Sequence, residues 1–357
     1  MITRVSGGLK YSGGDYIMNQ QNKDTTSSHK TASMKPGRRE FLKKSTYLGT
    51  ALVLGPSIHV TAIASSQDEL PMRVLGRTGV KVTVLGLGTA PVGEGPVGVQ
   101  EGIKIFSEAI ERGVNYIDTA RIYGNAEEIL GNIIPKRRDK LFLVTKVWTD
   151  NGRKAESLFS ESLRQLKTDY VDLVHIHNVG GKDLNKVLAK EGVLEYLLKE
   201  RDSGKIRFIG VTSHCRPGRV ARMLETGQVD VAMTVINYAD KYTYGFHEKI
   251  LPAAKKHNVA LAAMKVYVGI KGGFRNHRKG YVGCVTEQNR MPEAIAYVLD
   301  LEGIDVAVVG PYTVEQSIQN VDFTKQYKPL SSEQRTALLE SGKQIALKLG
   351  TRYGPLT

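Results

Sequence analysis

Cysteine is scarce in this chain: two in 357 residues, Cys215 and Cys284. Two thiols cannot supply a four-cysteine zinc site or an iron–sulfur cluster, and at most one disulfide is available, with no way to read from spacing whether it forms. Long hydrophobic runs are missing too. The most apolar stretch, YLGTALVLGPSIHVTAIA at 47–64, is shorter and weaker than the ~20 apolar residues that a membrane span needs. No basic run is interleaved with aromatics, so nucleic acid is not an expected partner, and no residue cluster suggests a metal.

The net charge is +14, but residues 1–64 hold nine Lys or Arg against three Asp or Glu, so six of those charges belong to that segment. The remaining +8 is moderate. One loop, KGGFRNHRKG at 271–280, is basic and glycine-rich. It reads either as a solvated loop or as an anion-attracting flap over a site.

The first 64 residues read as a leader. KPGRREFLKKS (35–45) sets Arg38 and Arg39 before Phe41 and Leu42, the apolar stretch follows, and Ala62-Ile63-Ala64 is a small-residue cleavage pattern. The paired arginines resemble the twin-arginine signal, which exports proteins already folded. The plainer readings are an amphipathic surface helix or an uncleaved anchor. A leader over 1–64 and a single domain over 65–357 are therefore expected. The twin-arginine export machinery would be a partner, the location periplasmic or extracellular (cytoplasmic if the signal is unused), and the mature form would have no stable membrane span.

After a predicted hairpin turning near Thr78-Gly79, strands and helices alternate. Candidate strands cover 82–89, 115–120, 141–147, 170–177, 206–213, 229–237, 259–267 and 304–311. Apolar residues recur at helical spacing between them, as at 102–113 and 156–167. Eight such units predict an α/β fold, a (β/α)8 barrel, with an extra amphipathic helix at 331–350. The fold assigns no reaction, but it places a site at the C-terminal strand ends.

Four polar groups fall at that end. Asp118 closes the second strand and Tyr123 lies on the loop after it; Lys146 is near the end of the third and His177 ends the fourth. A phenol keeps its proton at neutral pH, and a nearby ammonium favours its loss, while a carboxylate can hold the ammonium in place. The imidazole can orient a carbonyl oxygen or help move a proton. Such a set suits proton donation to a carbonyl oxygen while hydride reaches carbon.

Here the chain resembles the aldo-keto reductases over 72–323. The resemblance is carried by LGLGT, GVNYIDTARIYGNAEEILG, VTKV, DYVDLVHIHN, GKIRFIGVTSH and VVGPYTVEQSIQN. It implies a catalytic tetrad of Asp118, Tyr123, Lys146 and His177, with Tyr123 as general acid. His175, facing inward like His177, is expected to be a deeper hydrogen-bonding partner. The resemblance also implies NADP or NAD as cofactor, bound across the barrel top without a G-x-G-x-x-G unit, and a small carbonyl compound or sugar as substrate. Its expected contacts are Thr89, Thr212, Ser213, Met233, Met264, Lys265, Gly310, Tyr312, Gln316 and Asn320. Met233 and Met264 stand where many members have a glutamine and an aromatic. Tyr312 and Gln316 stand where members preferring the 2′-phosphate carry basic residues, so the preference between the two cofactors stays open.

Two other readings share the barrel. One is a binding protein without turnover; the other is a lyase or isomerase using Lys146 as a Schiff base, which leaves Tyr123 and Asp118 unexplained. The loops after strands one, four and seven are expected to choose the substrate.

Overall fold

The computed structural model describes residues 69–357 apart from 274, 275 and 282. The leader and its expected cleavage point lie outside these residues. Strands β1 (Met72–Val74) and β2 (Lys81–Thr83) pair antiparallel, Met72 opposite Thr83. Their connection turns through Gly76–Thr78 and closes on Gly79 at φ +69, a left-handed conformation that glycine adopts without strain. Leu75 and Val82 are fully buried and plug one end of the barrel interior.

Eight parallel strands then close on themselves. They are β3 (Leu85–Gly88), β4 (Tyr116–Asp118), β5 (Phe142–Val147), β6 (Val171–Ile176), β7 (Ile206–Ser213), β8 (Val231–Val235), β9 (Ala260–Met264) and β10 (Ile304–Val309). The ring runs from β3 to β10 in sequence order and β10 pairs back to β3. The stretch 82–89 expected as one strand is divided at Val84: its first residues belong to the hairpin and its last to the barrel. The other seven fall inside their expected ranges.

Side-chain alternation builds two layers. Tyr116, Phe142, Val144, Leu173, Met233, Ala262 and Val306 fill the interior. Their neighbours Ile117, Leu143, Val174 and Ile209 pack outward in the larger core against the helices. Truncating such a buried residue to alanine costs about 2–5 kcal/mol, because the surroundings relax only partly. Gly86 is fixed by this packing. A Cβ there would lie 2.8 Å from the Tyr116 ring and 3.0 Å from Val306, so its bareness lets Tyr116 cross the interior and stack on Phe142, ring centroids 5.4 Å apart.

Helices Val99–Glu111 and Gly152–Leu166 cover the strands and begin a few residues earlier than their apolar spacing suggests. The second starts where Asn151 accepts from the Lys154 N–H at 3.0 Å, satisfying an orphan donor of the first turn. The expected last helix is Ser332–Leu349, opened by a reciprocal cap between Ser331 and Gln334. Beyond it, the C-terminal segment returns over the strand ends. Arg216 N donates to Pro355 O at 3.1 Å and Tyr244 Oη to Gly354 O at 3.1 Å. No helix among the described residues is long and apolar enough to cross a membrane.

Candidate active site

Asp118, the last residue of β4, lies level with Gly88 of β3 and Val144 of β5; Lys146 lies level with His175 of β6. Strand stagger around the barrel therefore brings groups from different sequence depths to one height. The Lys146 Nζ sits 2.6 Å from Asp118 Oδ2 and donates to Thr119 O at 2.7 Å. Both side chains are buried. The ammonium lies 4.7 Å from the centroid of the Tyr123 ring. His177, just past β6, meets Tyr123 edge-on at 5.8 Å, and Trp148 packs against its other side at 4.8 Å. All four expected catalytic residues thus meet at one mouth.

The loop that carries Tyr123 is held by three devices. Tyr123 N donates to Ala120 O at 3.0 Å. Buried Glu127 pairs with Arg121 and accepts from the Thr145 hydroxyl at 2.7 Å. Gly93 and Gly124 press backbone on backbone: a Cβ on Gly93 would come within 2.3 Å of Tyr123 O, and one on Gly124 within 2.0 Å of Gly93 O. That contact comes from a short helix, Ala90–Glu94, in a stretch expected to be loop. Thr89, just before it, donates through its hydroxyl to Asp118 O at 3.0 Å, so it braces the carboxylate's backbone.

Burial dominates the electrostatics. It lifts the Asp118 carboxyl and lowers the Lys146 ammonium, while their contact opposes both shifts. Burial, then the Asp118 and Glu94 charges, holds the Tyr123 phenol well above 10. The expected pull of Lys146 on the phenol is outweighed here, because the ammonium lies under the ring and serves Asp118 and Thr119. Tyr123 is firmly protonated at neutral pH. Burial, then Lys146, drops His177 well below 6.5, so its imidazole is neutral.

His175 lies deeper, as expected, with only a loose hydrogen bond to the Val211 backbone. It is buried, neither ring nitrogen makes a well-formed hydrogen bond, and it packs against Gly210, where a Cβ would lie 2.3 Å from Nδ1. The bare backbone of Gly210 makes room for the ring.

A cavity opens at this mouth. Of the expected cofactor contacts, Thr89, Met233, Met264, Lys265 and Gly310 line it. Thr212 and Ser213 do not. The Thr212 hydroxyl accepts from Asn178 N at 2.8 Å, and the Ser213 hydroxyl accepts from Gly180 N at 3.1 Å and donates to Cys215 O at 2.6 Å. They hold the turn after β6. Tyr312, Gln316 and Asn320 are likewise engaged with protein: Gln316 accepts from Tyr312 N, Tyr312 Oη donates to His277 O, and Asn320 accepts from Tyr267 Oη. Part of the basic loop at 271–280 reaches the cavity. Its His277 lines the cavity, and His277 and Arg278 both meet Glu94 of the opposite rim, at 3.3 and 2.8 Å.

Sequence reasoning missed Trp148, Asn178, His214, Glu94 and Arg352, which also line the cavity. Trp148 had a signal, since it follows Lys146 by two on an alternating strand. Lys182 lies over its indole at 4.8 Å. Arg352 had none, being far beyond the last strand. Both cysteines are free. Among the described residues, no group of three His, Cys, Asp or Glu is placed to hold a metal ion.

The donor set fits an extended anionic cofactor. The floor is apolar at Met233 and Met264, the rim carries Lys265 and Arg352, and Arg352 Nη1 is buried with no hydrogen-bond partner among the described residues.

Comparison with known proteins agrees with the geometry. The model of the Aldo/keto reductase family matches residues 84–281, more than half of the chain. L-galactose dehydrogenase of Arabidopsis thaliana is 26% identical over 321 residues, covering 79% of this chain and 98% of that protein. An aldo-keto reductase from Bacillus halodurans, solved in holo form, superposes with a TM-score of 0.63 at 22% identity, over 76% of this chain and 96% of its own. An aldo/keto reductase from Klebsiella pneumoniae in complex with NADP and acetate gives 0.61 at 24%, over 76% and 95%. At such identities the structural likeness speaks for the fold.

Proposed function

Because the chain belongs to the aldo/keto reductase family, we propose that it interconverts a polar carbonyl compound and its alcohol, using NADP or NAD held in the cavity at the barrel mouth. The observation that carries this reading is the meeting of Tyr123, Lys146, Asp118 and His177 at one mouth, with Lys146 2.6 Å from Asp118 and beneath the phenol. When bound, the nicotinamide supplies or takes up the hydride at carbon. The residues manage the proton and the oxygen. Neutral His177 donates a hydrogen bond that orients the carbonyl oxygen toward Tyr123. The Tyr123 hydroxyl gives its proton to that oxygen, and Lys146, kept in place by Asp118, stabilises the phenolate left behind. Met233 and Met264 offer a soft apolar face for the nicotinamide ring. In the alcohol-to-carbonyl direction the phenolate takes the proton back.

Substrate chemistry follows from the rim. An indole at Trp148 beside the polar groups of Asn178, His214 and Lys182 suits a sugar or other polyhydroxy carbonyl compound, and the likeness to L-galactose dehydrogenase supports that class. The arginine pair Arg38–Arg39 supports export of the folded chain by the twin-arginine route. Free dinucleotide is not recycled outside the cytoplasm, so this reading has the cofactor leaving with the barrel and turned over in place. Mature protein purified from that compartment then yields nicotinamide on extraction, and protein that yields none speaks against export with the cofactor bound.

The test of the reaction is a panel of sugars and small carbonyl compounds, followed by the absorbance of reduced nicotinamide with both cofactors. Turnover is expected with at least one pair, and Tyr123→Phe should lower kcat by about 10²–10⁴-fold, the usual worth of a general acid. Full activity in that variant would rule out Tyr123 as the acid. Lys146 is buried and donates to two oxygens, which disfavours the Schiff-base alternative. Borohydride trapping of substrate on Lys146 would reinstate it.

A further inference from the structure

Hydrogen-bond donors gather at one edge of the cavity without acceptors of their own. Lys182 lies over the Trp148 indole at 4.8 Å, and its ammonium makes no hydrogen bond or ion pair among the described residues. The Trp148 Nε1–H makes none among them either, although the indole lines the cavity. Asn178, also on the cavity wall, accepts from His214 N at 3.3 Å through its amide oxygen. Its amide NH2 is left over, beside Gly181, where a Cβ would come within 3.1 Å of the nitrogen.

The lysine is held in this place. Arg219 donates to Lys182 O and Gly180 O, and Arg216 donates to Gly180 O at 2.8 Å, so the turn before the side chain is braced. Lys182 is half-buried. Burial pushes its ammonium down, Asp150 pulls it back up and Lys154 adds to the fall. Asp150 does not come within ion-pair distance, and Asp183, the next residue, accepts instead from Asn185 N at 3.0 Å. Removing water from an ammonium without supplying an anion is costly.

The distance to the chemistry selects the ligand. Trp148 packs edge-on against His177 at 4.8 Å, so the ammonium stands no further from that imidazole than two such steps. After burial, Lys182 is among the charges that keep the imidazole neutral. Its loop follows β6, the strand beside Lys146, and not β8 or β9, which carry the methionine floor. An anion at Lys182 and a carbonyl at His177 and Tyr123 can therefore belong to one small molecule.

We propose that Lys182, with the Trp148 indole N–H and the Asn178 amide, binds an oxyanion on the substrate, so that the compound turned over is a polyhydroxy carbonyl compound with a carboxylate or phosphate at the end away from the carbonyl. The inference rests on the carbonyl–alcohol reading and adds the charge of the substrate to it. Each of the donors finds an acceptor in that oxyanion, and the ammonium regains a counter-charge through a charge-assisted hydrogen bond. An uncharged sugar would leave the lysine as it is.

The test is steady-state kinetics on the whole chain with NADH and NADPH and matched substrates: an uncharged aldose, its uronate and its terminal phosphate. The variants are Lys182→Met, Lys182→Arg and Lys182→Glu, with thermal unfolding recorded for each. The expected result is kcat/KM about tenfold or more higher for an anionic member than for the uncharged aldose, mostly through KM. Lys182→Met should erase that preference, Lys182→Glu should reverse it and Lys182→Arg should keep it, a sorting by charge that a packing role would not produce. Added salt should raise KM for the anionic member alone. Preference for the uronate or for the phosphate supports the proposal equally and tells the two sources apart. Equal kcat/KM for charged and uncharged members overturns it, as does a preference that survives Lys182→Met in a folded chain. A chain that reduces no carbonyl compound with either cofactor overturns the functional reading itself, and this inference with it.

Discussion

Lys146 and Asp118 meet at 2.6 Å with both side chains buried, one from β5 and one from β4. Neither charge is tolerable there alone. Asp118→Asn or Lys146→Met should each lower the free energy of unfolding by about 3–5 kcal/mol, as when one partner of a buried pair is removed. The double variant should cost clearly less than the sum. Denaturant titration of the four proteins measures this, and additive losses would mean that the pair is not coupled in the folded state.

Close backbone contact positions the acid. Gly93→Ala places a methyl where Tyr123 O lies 2.3 Å away and the Ala126 side chain 2.5 Å away. The Tyr123 loop must shift to admit it, and a shift of about 1 Å at a reacting group can cost ~10²-fold in rate. We expect kcat to fall by roughly that factor while dinucleotide Kd changes little. A variant with unchanged kcat would show that the loop tolerates displacement.

The hydroxyls of Thr212 and Ser213 hold a turn. Thr212→Val leaves the part-buried N–H of Asn178 without its acceptor, and Ser213→Ala leaves the buried N–H of Gly180 without its own. Each should cost about 1–3 kcal/mol of stability. If the two residues instead grip the cofactor directly, dinucleotide affinity would collapse with stability intact.

Acid should destabilise the fold from a defined point. His175 and His177 are buried, and burial holds both well below 6.5. Above pH 6.5 both folded and unfolded chains carry them neutral. As pH falls past that value the unfolded chain takes up protons that the folded one refuses, so stability present above pH 6.5 is lost toward the depressed folded values. Each group contributes up to about 1.4 kcal/mol per pH unit in that window. Unfolding free energies measured between pH 7.5 and 5 should decline most steeply below 6.5; a flat profile would place at least one imidazole in a polar or open setting.

Much of the site could be read along the chain, because its members stand at strand ends with a fixed parity. Asp118, Lys146 and His177 could be placed on one rim from alternation alone, and Trp148 follows from the same rule. The cofactor contacts were harder. Thr212 has the right parity, yet its hydroxyl is claimed by Asn178 N, a partner 34 positions away that no local pattern announces. His175 was expected to hydrogen-bond because inward polar residues usually find partners; its room beside the ring comes from the bare backbone of Gly210, which parity alone does not announce. The strand at 82–89 was read as continuous because both halves are apolar, and only its two different neighbours divide it.

The sequence by itself determined the eight-fold alternation, the hairpin before it, the helix after it and the four polar groups at one end of neighbouring strands. These depend on periodicity and residue type, which are local. Tertiary structure alone decided that Gly93 would meet Gly124, that His277 and Arg278 would cross the mouth to Glu94, and that Arg352 would arrive beside Lys265, 87 positions earlier. The first joins the loops of the directly paired strands β3 and β4, while the contact across the mouth to Glu94 exists because the barrel closes β10 onto β3 and thereby gathers the loops of distant units around one opening. Closure is a property of the whole ring, and no segment of the chain encodes it alone.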